Sequence, residues 1–371
     1  MPLHHEPDPE LYMRPLEIEL IRSATRGTAT KAQLKQLDKL VPDPHPDPRD
    51  AFIIKRASSW LETCAGQPEI PRLFGDLWLD GEVCILFADT NTGKSVLAVQ
   101  IGDSISRGDA IDGFALNTPA RTVLYVDFEL SEQQFRARYH SGLHGAYQFH
   151  PNFLRAVVNH GGTGQHRFSS YNHFISNGLE NALITTKARV LIIDNITCLG
   201  RGTGSEGSAL ALMQQLQQIK RQYHLSVLVL AHTPKRDPVK PITRNDLQGS
   251  KMLLNFADSA FAIGESQTRP GISYLKPIKQ RGNALNQNTG KVYLGRIHKP
   301  FHMVRFDQMG TDTEAAHLQP HTERQRLLRE EQIHELYTKG HSHRQIAQTL
   351  GIAHSTVSRN LSRMQLVTAE S

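Results

Sequence analysis

The chain has 371 residues, 39% hydrophobic and 21% charged, with a formal net charge of +6. That length and apolar content allow one large domain and a smaller one, and exclude a disordered or fibrous chain. No apolar run reaches the ~18 residues of a membrane helix.

The opening MPLHHEPDPE is polar and acidic and does not read as a signal peptide. The modest positive balance permits nucleic-acid binding without requiring it. Three cysteines, Cys64, Cys84 and Cys198, have no metal-ligand spacing. They are expected as free thiols in a reducing cytoplasm.

Residues 1–50 read as a peripheral, partly disordered segment. VPDPHPDPRD at 41–50 can neither continue a helix nor enter a sheet interior. Over 51–306, short apolar runs alternate with helical stretches, the pattern of a mainly parallel sheet with helices on both faces. Strands are expected at 82–88, 121–128, 153–158, 188–194 and 225–232. The intervening helices are expected at 94–106, 131–140, 171–187 and 207–223. Strand-like runs at 259–265, 272–280, 290–297 and 301–306 follow at short spacing, as antiparallel edge strands do. The fold class is therefore α/β. The polar, aperiodic residues 307–322 read as a linker, and 323–371 as a small all-α domain.

FADTNTGKS, Phe87–Ser95, departs by one residue from the phosphate-loop pattern G-x-x-x-x-G-K-[ST], with Ala88 at the first glycine position. A methyl is tolerable there if the backbone keeps negative φ. A strand, a turn and a helix starting at the lysine are the context such a loop needs. Ala88, Asp89, Thr90, Asn91, Thr92 and Gly93 would wrap the phosphates. Lys94 would reach the β and γ phosphates, and Ser95 would ligate Mg²⁺.

RVLIIDN (189–195) is an apolar strand ending in Asp194, placed to hold Mg²⁺ opposite the loop. The next residue is Asn195, where many ATPases of this kind carry a glutamate. Glu129 in LYVDFELS (124–131), at a strand end, is the candidate base for the attacking water. Asp127 is the weaker candidate, and Ser131 is a candidate cap for the following helix.

Glu129 after the second strand, Asp194 without a following glutamate, and LAHTPK (230–235) together resemble the RecA-like ATPases. Among these, the chain is similar to the hexameric plasmid RepA and DnaB-type helicases, and most of all to the AAA-family, RepA-like ATPases of mobile elements. The resemblance spans about residues 70–300. It implies ATP as substrate and His232 as a γ-phosphate sensor. It implies Arg281 of IKQRGN (278–283) as an arginine finger acting in the neighbouring subunit, with Lys279 as its companion. An arginine suits that role because its planar fork neutralises charge on the γ-phosphate. A homo-oligomer, hexameric as in that family, would follow.

In such rings the loops after these strands line a central channel for single-stranded DNA. Here they are 198–208, with Arg201, and 233–251, with Lys235, Arg236, Lys240 and Arg244. Neither holds an aromatic residue, so grip would be electrostatic.

The stretch 336–364 resembles the helix-turn-helix of resolvases and invertases. Gly340 suits a left-handed helix end, Ser342 and Gln345 a capping box, and Gly351 the turn. Ser355, Thr356, Ser358, Arg359 and Arg363 are expected to face duplex DNA. Two functions follow: an ATP-driven, RepA-like helicase of a plasmid or mobile element, or a non-translocating ATP-dependent DNA-binding regulator or recombination mediator. No complete DnaB-type N-terminal helical domain fits into residues 1–70.

Overall fold

The computed structural model describes residues 26–40, 53–64, 69–159, 168–169, 171–196, 206–234, 236–247, 251–281, 290–318 and 321–369. The chain divides at Glu69/Ile70. The first unit contributes helices α1 (Lys31–Leu40) and α2 (Ala57–Cys64).

The second unit opens with the short pair β1 (Arg72–Phe74) and β2 (Trp78–Leu79). There follow β3 (Val83–Ala88), α3 (Lys94–Arg107), β4 (Val123–Asp127), α4 (Glu132–Tyr139) and the small hairpin β5 (His140–Ser141) with β6 (Gly145–Ala146). Then come β7 (Phe153–Val157), α5 (Tyr171–Thr186), β8 (Val190–Asp194), α6 (Glu206–Tyr223), β9 (Ser226–His232) and α7 (Lys251–Phe256). The strands β10 (Ser259–Glu265), β11 (Ser273–Gln280), β12 (Lys291–His298) and β13 (Arg305–Thr313) complete the sheet.

One nine-stranded sheet runs in the order β13-β12-β11-β10-β3-β9-β8-β4-β7. From β10 to β7 every pairing is parallel, and from β10 to β13 every pairing is antiparallel. The central strands are β-branched and aliphatic, and β3 and β8 are buried along their whole length. This is what a sheet covered on both faces demands. Alternation assigns Val83, Ile85 and Phe87 to the core beneath α5, α6 and α7. Cys84, Leu86 and Ala88 pack beneath α3 and the β1–β2 pair. Burial of each of the larger side chains, Val83, Ile85, Leu86 and Phe87, contributes about 1.5–3 kcal/mol. Cys84 is a buried free thiol whose pKa burial pushes well up. Cys198 and the Cys64 side chain lie outside the described residues.

The expected linker at 307–322 is corrected by the sheet. Residues 305–313 are the edge strand β13, paired with β12 over its full length. Glu314–His317 then form a 3-10 turn in which Glu314 and His317 are buried. The run expected as a strand at 301–306 is mostly the β12–β13 turn.

The C-terminal unit comprises α8 (His321–Thr338), α9 (His343–Leu350) and α10 (His354–Ala369). Gly340 has φ 85°, and the His341 N–H donates to Leu336 O at 3.1 Å. Ser342 and Gln345 form the capping box, and Gly351 is left-handed at φ 61°. Ile333, Ile346, Ala347, Val357 and Leu361 make its own small core.

Candidate functional site

The parallel half of the sheet brings the C-terminal ends of β3, β9, β8 and β4 side by side. Ala88 is in register with His232, and Asp127 with Asp194. Ala88, Glu129, Asp194 and His232, at or just after those strand ends, lie along that edge.

Ala88 ends β3 fully buried, and its φ is not positive. The Ala88 methyl is therefore accommodated. Positive φ falls later in the loop, at Asn91 (64°) and Gly93 (93°). A Cβ on Gly93 would press on the Ile297 Cδ1, and the φ of 93° strains any L side chain, so glycine suits the position. Thr92 Oγ1 donates to Asp89 O at 2.8 Å and tightens the turn. Lys94 opens α3 and is 6% exposed. Its Nζ donates to Ala88 O at 3.0 Å and Asp89 O at 2.7 Å. Burial lowers its pKa, against the pull of Glu129, Asp194 and Asp89.

Asp194 is 1% exposed. Burial pushes its carboxyl up to about 6, although hydrogen bonds with Ser95 and Tyr125 favour the charged form. The Tyr125 hydroxyl donates to Asp194 Oδ2 at 2.7 Å. A buried carboxylate beside a serine hydroxyl is an all-oxygen donor pair suited to a hard divalent cation, whose charge would offset the burial. Among the described residues no cluster of three or more His, Cys, Asp or Glu could hold a metal alone. Mg²⁺, which binds through one or two protein oxygens plus phosphates, fits such a pair.

Asp127 anchors the turn that presents Glu129. Its Oδ1 accepts from Glu129 N at 3.0 Å and Leu130 N at 2.9 Å. Its Oδ2 pairs with Arg155 at 2.8 Å. Ser131 caps α4 in a box with Gln134, so the cap does not consume Glu129. The Glu129 carboxylate instead meets Asn195 and His232. Asn195 Nδ2 donates to Glu129 Oε1. His232 Nε2 lies 2.9 Å from Asn195 Nδ2 and 3.1 Å from Glu129 Oε1. The imidazole nitrogen can accept from the amide or donate to the carboxylate, one at a time. The peptide between Asp194 and Asn195 is cis.

The loop residues Thr90–Ser95, with Glu129 and His232, line a cavity of about 710 Å³. Its far wall is the β10–β11 turn, with Ile297 and Arg138 at the side. Asn195 and Arg138 are the functional candidates that sequence reasoning missed. Asn195 stood out only as the residue that is not glutamate. Arg138 shares α4 with Arg136, and nothing in the sequence separates them. In the structure Arg138 Nη1 is buried with no hydrogen-bond partner.

Arg281 and Lys279 are not in this cavity. Arg281 follows β11 at the opposite end of the sheet, where it pairs with Asp258 at 3.2 Å. Asp258 N in turn donates to Val83 O, at the start of β3. The strand from Val83 to Ala88 puts about 17 Å between that end and the phosphate loop.

The expected DNA residues divide. Arg201 and Lys235 lie outside the described residues. Arg236 is turned into its own loop, with a side chain 13% exposed near Asp246 and a bond to Lys240 O. It is not the exposed cation that was expected. Lys240 and Arg244 are exposed. Ile242 and Leu247 bury this loop, and Ile242 N donates to Glu314 Oε1 at 2.8 Å. In the C-terminal unit Ser355 and Arg359 are exposed. Thr356 and Ser358 are half-buried, and Ser358 Oγ lies 3.2 Å from His343 Nδ1. Ser358 thus faces α9 rather than outward. The Arg363 side chain lies outside the described residues.

A phosphate loop on a parallel sheet edge, with an acidic strand end beside it, defines a P-loop ATPase. The AAA domain family matches residues 53–238, half of the chain, and the chain belongs to that family. A helix-turn-helix domain matches residues 324–364. The chain is thus a P-loop ATPase joined to a helix-turn-helix DNA-binding domain. No curated protein matches it. Among solved structures it is similar to a KaiC-like protein, PH0186, from the hyperthermophilic archaeon Pyrococcus horikoshii OT3. That match has 12% identity and a TM-score of 0.42, covering 62% of this chain and 90% of that one. No helix among the described residues is long and apolar enough to cross a membrane.

Proposed function

We propose that the chain is an oligomeric, ATP-hydrolysing DNA motor, a RepA-like helicase serving the replication or mobilisation of a plasmid or mobile element. The observation that carries this reading is the split of the chemistry between two ends of one sheet. Lys94, Ser95, Asp194, Glu129 and His232 gather at one end, while Arg281 sits about 17 Å away at the other. An arginine so placed cannot serve its own phosphate loop, but it can serve a neighbour's in a closed ring.

In this mechanism the loop backbone and Lys94 bind the β and γ phosphates of ATP. Ser95 and Asp194 would hold Mg²⁺, which when bound neutralises phosphate charge. Glu129 orients the attacking water and takes its proton as the bond to the γ-phosphorus forms and ADP departs. His232 and Asn195 hold the Glu129 carboxylate and report the γ-phosphate to β9. Arg138, with its unpartnered nitrogen, binds the nucleotide from the side wall. The neighbour's Arg281, with Lys279, completes the charge stabilisation. Lys240 and Arg244 contribute to a single-strand channel, and Ser355 and Arg359 contact duplex DNA. An ATPase domain that starts near residue 53, where the family match begins, and runs through β13 accompanies this reading, with the helix-turn-helix over 321–369.

The inward turn of Arg236 leaves fewer exposed cations on the channel loop. That favours a second reading, a non-translocating ATP-dependent DNA-binding regulator or recombination mediator. One experiment separates them: ATPase measured with and without single-stranded DNA, with forked-duplex unwinding followed in parallel. The helicase reading expects hydrolysis stimulated by single strands together with strand separation. Hydrolysis without unwinding, and a footprint at one duplex site, supports the regulator.

A further inference from the structure

Arg281 stands directly after the last β11 residue, and Asp258 directly before the first β10 residue. Because Ser259 pairs with Gln280, the two face each other across the strand ends. Arg281 N donates to Asp258 O at 3.1 Å. The guanidinium reaches Asp258 Oδ1 at 3.2 Å and Asn255 O at 2.9 Å. Lys279 Nζ donates to Leu254 O at 2.6 Å and Asn255 O at 3.2 Å. Both cations therefore sit on the last carbonyls of α7, which have no partner within the helix and carry its negative dipole end.

Asp258 divides its two oxygens. Oδ2 accepts from Val83 N and from Lys220 Nζ, each at 2.9 Å. That ties the carboxylate to β3 and to α6. Oδ1 faces Arg281. Burial works against the Asp258 charge, but Lys220, Val83 N–H and Arg281 hold its pKa below the ordinary value. The Arg281 side chain is nevertheless 57% exposed. One edge of its fork is held, and the rest faces solvent.

We propose that Asp258 is a positioning residue for Arg281: with the C-terminal carbonyls of α7, it holds the guanidinium in the orientation in which a second copy of the chain presents its ATP. This rests on the reading that Arg281 acts in a neighbour's site. A held fork loses less side-chain freedom at each turnover than a free one.

The test is steady-state ATPase of the assembled full-length protein carrying Asp258→Asn, Arg281→Ala or both. Asp258→Asn keeps an oxygen for the Val83 N–H. It is expected to lower kcat roughly tenfold, with KM for ATP, fluorescent-ADP affinity and oligomer size unchanged. The double variant is expected to be no slower than Arg281→Ala alone. Lys220→Met strips the other cation from the same carboxylate and leaves the Arg281 pair. It is expected to lower Tm while kcat stays.

Two results overturn the positioning role while leaving the trans arginine in place. One is a wild-type kcat in Asp258→Asn beside an inactive Arg281→Ala. The other is a Lys220→Met variant that loses kcat as Asp258→Asn does. Additive losses in the double variant also overturn it. A fully active Arg281→Ala overturns both the positioning role and the reading beneath it.

Discussion

Asn195 joins Glu129 to His232 through a single amide. Glu129→Gln is expected to bind nucleotide with unchanged affinity and to hydrolyse it at least about 100-fold more slowly, since the proton acceptor is lost. Asn195→Ala keeps the acceptor but frees it to rotate. Its expected loss is smaller, about tenfold in kcat, with nucleotide affinity retained, as single-turnover hydrolysis alongside fluorescent-ADP binding can measure. A greater loss in Asn195→Ala than in Glu129→Gln would assign the acceptor wrongly. Lys94, Ser95 and Asp194 were legible in the sequence because their spacing and strand context are local. Glu129 was legible because it follows directly on the end of a predicted parallel strand, at the edge where ligands bind. Arg138 was not, because its importance lies in which wall of the cavity α4 meets, and α4 is polar nearly all round.

The elements of the parallel sheet were legible because nearly all are short apolar runs bounded by turn residues. The edge was not. β13 is RFDQMGTDT, with Phe306 its one buried position and few apolar residues, because one side of an edge strand meets solvent. Polar composition therefore read as linker. Glu314 shows the consequence. It is 4% exposed and bonds the Lys276 ammonium, while Lys276 Nζ also donates to Ile242 O at 2.6 Å. Together they pin the loop that carries Lys240 and Arg244. Glu314→Ala leaves a largely buried lysine without its carboxylate, and about 3 kcal/mol of stability is expected to go. Urea unfolding measures this directly. A linker residue would change stability by less than about 0.5 kcal/mol.

At the scale of the whole molecule, the sheet and the helix-turn-helix keep separate cores. The helix-turn-helix packs around Ile333, Ile346, Val357 and Leu361 without borrowing from the sheet's cores. Ile346→Ala is expected to cost about 2–5 kcal/mol, more than so small a core can spare. Duplex binding should disappear, while ATP hydrolysis measured without DNA persists. Parallel loss of both would mean that the ATPase depends on the C-terminal unit.

The ring reading depends on where Arg281 acts, and subunit mixing tests that most directly. Lys94→Ala subunits keep Arg281 and lose their phosphate loop, while Arg281→Ala subunits do the reverse. Each alone is expected to keep only a small residual rate. When the two are co-assembled in equal amounts, random assortment restores about a quarter of the interfaces. ATPase activity should recover in proportion. A mixture as inactive as its components, or an Arg281→Ala protein that hydrolyses ATP at the wild-type rate, would contradict hydrolysis across a subunit interface.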